Sequence, residues 1–104
     1  MFLLFADKRI GAGKALIEGN QVPLGISTLI KGEGYFERAL AEANKIKSRG
    51  GDIQSLTEKL RGASLKYEEI LLELKEKVNS EGKGAIDDLL KKIRIFQEQV
   101  FRLD

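Results

Sequence analysis

The side chains of this chain that could carry chemistry are Asp, Glu, Lys, Arg and Tyr, because it contains no cysteine and no histidine. No disulfide can form, so cysteine usage gives no reading of redox compartment. The common zinc sites and nucleophile–base pairs need Cys or His and are closed to it. What remains is carboxylate chemistry. Glu33 and Glu37 stand at i,i+4, as do Glu69 and Glu73, and on a helix that spacing puts both carboxylates on one face. Paired carboxylates across a bundle can bind metal, but the di-iron pattern wants a Glu-x-x-His motif on two helices. Without histidine the pairs read as solvated faces, and no metal, cofactor or catalytic pair is expected. A metal or small-ligand carrier using Glu33, Glu37 and facing acids is the alternative.

The segment Ile10-Gly-Ala-Gly-Lys-Ala15 is similar to a phosphate loop. A Walker motif needs Gly and Ser or Thr where this chain has Lys8 and Ala15. The dinucleotide fingerprint fails too, since Leu16 occupies its third glycine position, and no strand precedes the segment. A glycine-softened helix is the expectation. Charge is balanced, with 18 basic against 16 acidic residues and a net charge of +2. The basic cluster Lys45-Ile-Lys-Ser-Arg49 sits where a helix C-terminus favours cations, so nucleic acid is not an expected partner. Met1-Phe-Leu-Leu-Phe-Ala6 is too short for a signal core or a membrane span, so neither an export signal nor membrane insertion is expected of this chain.

The elements that must position these groups are helices. With 104 residues, 42% hydrophobic and 33% charged, and a single proline, the composition is that of one charge-rich globular domain. Leu3, Ala6, Ile10, Gly13 and Ile17 recur at spacings of three and four, which predicts a first helix from about Phe2 to Glu18, stopped by Gly19-Asn20. The second runs from Pro23 or Leu24 to Ser48 on Gly25, Leu29, Gly32, Phe36, Ala39 or Leu40, Ala43 and Ile46, with Pro23 in its first turn. Asp52 is placed to cap a third helix from Ile53 to Val78. Its stripe is Ile53, Leu56, Leu60, Ala63, Tyr67, Ile70, Leu74 and Val78, with Leu65 and Leu72 in a flanking row. Ser80 can cap a fourth helix, which starts between Glu81 and Ala85 and ends near Arg102, on Ile86, Leu89, Ile93, Phe96, Val100 and Leu103.

Four amphipathic helices joined by short loops predict an all-α fold, an antiparallel up-down-up-down four-helix bundle forming a single domain over 1–104. The alternative is two stacked helical hairpins of tetratricopeptide type, binding a peptide; Gly34-Tyr-Phe-Glu-Arg-Ala-Leu40 is faintly similar to that motif, but no 34-residue period is present. A hairpin turning near Gln21 would set Gly11 against Gly32 and Gly13 against Ile30, so Gly11, Gly13 and Gly32 are expected to permit close packing of the first two helices. Phe2, Leu3, Leu4 and Phe5 cover all sides of a helix end, and some must lie outside the core. Phe2, Phe5, Tyr35, Leu65 and Leu72 are the candidate interaction surface, to be covered by a protein partner or by self-association.

Four segments together, Ala6-Asp-Lys-Arg-Ile10, Ala15-Leu-Ile-Glu-Gly-Asn20, Lys31-Gly-Glu-Gly-Tyr-Phe-Glu-Arg-Ala-Leu-Ala-Glu-Ala43 and Ala63-Ser-Leu-Lys-Tyr-Glu-Glu-Ile-Leu71, resemble a bacterial family of helical, extracytoplasmic proteins of unknown function. The resemblance runs from about Phe5 to Phe101. It implies a helical domain in the cell envelope, behind a signal or membrane segment, and no active site. It also implies Ala or Glu at positions 11 and 13, where this chain has glycine, and further helix upstream, so the chain resembles an N-terminally trimmed domain. The expected function is a non-catalytic helical scaffold or protein-binding module.

Overall fold

The computed structural model describes residues 2–103, which form α1 (Phe2–Glu18), α2 (Val22–Ser48), α3 (Gln54–Lys75) and α4 (Ser80–Leu103). The breaks fall where the backbone can reverse. Asn20 and Gly50 take left-handed conformations, with φ of 66° and 80°, which asparagine and glycine tolerate best. Asp52 accepts a hydrogen bond from the Gln54 amide at 3.0 Å, but the N-cap position of α3 is Ile53, so Asp52 stands one residue before the cap rather than at it. At the next junction the cap is Asn79, whose Oδ1 accepts from the Gly82 amide at 2.9 Å. Asn79 rather than Ser80 therefore closes the first turn of α4, and the helix starts one residue before the expected range.

Successive helices run in opposite directions, and the chain is an all-α four-helix bundle. The order around it is α1–α2–α4–α3, with two hairpins laid side by side. Within the hairpins, Phe5 stacks on Tyr35 and Arg94 pairs with Glu68. Between them, like-directed helices meet: Glu18 pairs with Lys77 where α1 and α3 end, and Lys47 donates to the Leu103 carbonyl where α2 and α4 end. In the middle, Phe36 of α2 packs on Tyr67 of α3 and Phe96 of α4, at centroid distances of 5.7 and 5.6 Å. The Tyr67 hydroxyl donates to the Asp7 carboxylate of α1, so this cluster touches all four helices.

The buried faces of α1, α2 and α4 follow the expected stripes, apart from Leu3 and Ile46, which are half-buried. On α3 the core face is Thr57, Leu60, Ser64, Tyr67, Leu71 and Leu74, rotated from the expected one. Leu56, Ala63 and Ile70 are half-buried. Two interleaved rows with the same three-four spacing share Leu60, Tyr67 and Leu74. The structure buries the row containing small polar residues, where the Ser64 hydroxyl bonds the Arg61 carbonyl at 2.8 Å.

Three glycines let α1 and α2 approach. A methyl group on Gly25 would lie 2.6 Å from Ile17 Cγ1 and 2.9 Å from the Gly13 carbonyl oxygen. One on Gly13 would lie 2.7 Å from Leu29, and one on Gly32 2.8 Å from Ile10 Cδ1. Gly11 differs from expectation: it is exposed, with open space around the position of a Cβ. Residues two apart on a helix point about 200° apart, so Gly11 and Gly13 cannot both face α2. Gly13 faces Gly25 and Leu29, while Ile30 lies exposed.

Candidate functional site

The two helices of the first hairpin differ in length, 17 residues in α1 against 27 in α2. They start level at the turn through 19–21, so α2 overhangs the start of α1 by about 15 Å at the helical rise. The parallel helix α3 overhangs it too, since Asp7 of α1 already stands level with Tyr67. At this end α2, α3 and α4 extend past Phe2, the first described residue of α1. A depression of about 400 Å³ lies here, lined by Phe2, Leu3, Ala39, Glu42, Ile46 and Leu56. Ile46 and Leu56 are half-buried there.

Aromatic and basic groups frame this notch. Phe5 and Tyr35 have centroids 5.4 Å apart. The Arg38 guanidinium lies over the rings of Phe2 and Tyr35, at 6.0 and 5.6 Å. On the α3 side, Lys59 and Lys66 adjoin Leu3 and Asp7. The depression itself is apolar but for Glu42, and the cations Arg38, Lys59 and Lys66 stand beyond its edge beside Phe2 and Leu3, a surface that suits an amphipathic helix with acids on its outer flanks.

The structure brings together Phe2, Phe5 and Tyr35, but not Leu65 and Leu72. Those two are exposed on α3, 56% and 45% accessible, on the flank turned away from α1. Ala39, Ile46 and Leu56 were legible only as core positions, because a hydrophobic stripe does not say which of its residues line a depression.

The carboxylate pairs separate. Glu37, Glu69 and Glu73 are exposed, whereas Glu33 is buried with neither carboxylate oxygen hydrogen-bonded. Burial pushes the Glu33 carboxyl up to about 8, opposed by Lys92 and reinforced by Glu37. Among the described residues no group of three or more Asp or Glu is placed to hold a metal ion. The segment from Ile10 to Ala15 lies within α1, where backbone N–H groups serve the helix and cannot cradle phosphate. Among the described residues no helix is long and apolar enough to cross a membrane. Comparison of the chain with protein-family profiles, curated proteins and solved structures finds no match.

Proposed function

We propose that this chain is a non-catalytic helical module that binds an amphipathic helix with acidic flanks in the apolar depression lined by Leu3, Ala39, Ile46 and Leu56. The observation that carries this reading is the depression of about 400 Å³ floored by Leu3, Ala39, Ile46 and Leu56, with Leu3, Ile46 and Leu56 half-buried. A bound helix would pack on Leu3, Ala39, Ile46 and Leu56 and set its acids toward Arg38, Lys59 and Lys66, away from Glu42. The bacterial cell envelope is the proposed setting, supported by the sequence resemblance and checked by locating the tagged chain in cells.

The test uses two designed helical peptides of about 14 residues with the same leucine face. One carries Glu on its flanks and the other Lys. The Glu peptide should bind saturably and more weakly as salt rises, with the Lys peptide weaker by about tenfold or more. Ile46→Asp should abolish the binding. Equal binding of both peptides, or binding that survives Ile46→Asp, would overturn the reading.

A further inference from the structure

The second hollow of interest lies between α2 and α4. It measures about 240 Å³ and is lined by Ile30, Glu33, Ala85, Asp88, Leu89 and Lys92. Glu33 is 2% exposed, and both of its oxygens lack a hydrogen-bond partner. A carboxyl in that position is a standing cost to the fold, since an apolar side chain of similar size would pack without it. The charged groups facing it are Asp88 and Lys92 from α4 and Glu37 from its own helix. Carboxyls outnumber the one cation there, while Ile30, Ala85 and Leu89 supply aliphatic wall.

We propose that this groove binds a small organic cation, an alkylammonium or guanidinium group on an aliphatic stem. The charged head is met by Glu33, with Asp88 at the rim, and the stem lies along Ile30, Ala85 and Leu89. The small volume and aliphatic walls select a short stem over a bare metal ion, which would need more oxygen ligands than this groove presents. Both Glu33 oxygens are closed off from solvent, so pairing with the cation requires a turn of the side chain into the groove it lines. A free amine and the side chain of a peptide lysine share this chemistry.

Cation binding should ionise Glu33. With that carboxyl at about 8, it is mostly protonated at pH 7, and a bound cation that pulls it well below 7 releases about 0.9 proton. Titration calorimetry of the whole chain at pH 7, in two buffers of different ionisation enthalpy, measures this directly. The probes are n-butylammonium chloride and N-acetyl-lysine amide. At least one should bind saturably with release of nearly one proton per cation. Binding of butylammonium assigns the site to free amines, and binding of the blocked lysine alone assigns it to peptide side chains. Glu33→Gln keeps the shape of the protonated carboxyl and should weaken binding by about tenfold or more, with no proton released. Glu69→Gln, on an exposed surface, should change nothing. The proposal is overturned if neither probe saturates, if Glu33→Gln binds as well as the parent, or if binding at pH 7 releases no proton.

Discussion

Replacing Gly25 by alanine tests the α1–α2 contact most severely. The added methyl would meet Ile17 Cγ1 at 2.6 Å, the Gly13 carbonyl oxygen at 2.9 Å and the Ile17 amide nitrogen at 3.1 Å. Ordinary carbon contacts lie at about 3.5–4.0 Å. Ile17 is itself buried, and the two backbone atoms give way only if the helices part. Overpacking of this kind costs roughly 1–3 kcal/mol, and the better helix propensity of alanine returns up to about 1 kcal/mol. The net is a loss of roughly 1–2 kcal/mol. Gly34 and Gly62 are the internal controls, because a methyl there meets nothing within 4 Å. Alanine at either should gain up to about 1 kcal/mol. At about 4–8 °C per kcal/mol for a small domain, thermal unfolding should put Gly25→Ala and Gly34→Ala on opposite sides of the parent, on the order of 10 °C apart. Gly32→Ala should fall between them, since its nearest neighbour is the movable end of Ile10. A Gly25→Ala melting temperature equal to or above the parent's would refute the close-packing argument.

Glu33 should make stability fall as pH rises. Its carboxyl is raised from 4.5 to about 8 on folding, so between those values the unfolded chain has lost the proton and the folded chain keeps it. Stability declines through that window by up to about 1.4 kcal/mol for each pH unit crossed, and levels off above it. Urea titrations of Glu33→Gln should be flatter from pH 5 to 8 and should exceed the parent by a few kcal/mol at pH 8. Tyr67→Phe removes the hydroxyl that ties α3 to Asp7 of α1. Because Asp7 is exposed and regains water, the loss should be about 1 kcal/mol by the same titration. Thr57→Val should be neutral or stabilising by up to about 1 kcal/mol in thermal unfolding, because the buried Thr57 hydroxyl has no partner to lose.

The helices and most of their core faces were legible because apolar spacing, Gly-Asn and Gly-Gly stops and the single proline all agreed. The face of α3 was not, because Leu56-Ala63-Ile70 and Thr57-Ser64-Leu71 have the same period. Spacing cannot choose between them; packing against α1 and α4 does. The order of helices around the bundle was hidden too, since short loops fix direction and leave open which helices are neighbours. Glu33 looked like half of an exposed pair with Glu37. Its burial follows from lying one position beyond Gly32, on the flank of α2 that α4 covers. The notch is lined from α1, α2 and α3 together, a juxtaposition that no local pattern records.

The helix-binding reading is tested most directly by mapping where the Glu-flanked peptide lands. Amide chemical shifts of the labelled chain, followed through the titration, should move at Leu3, Ala39, Ile46 and Leu56 and in the turns beside them. The changes should be confined to that end of the bundle and saturate with the affinity measured for the peptide. Changes centred instead on Leu65, Leu72, Ile95 and Phe101, the exposed large apolar residues of α3 and α4, would contradict the helix-binding reading.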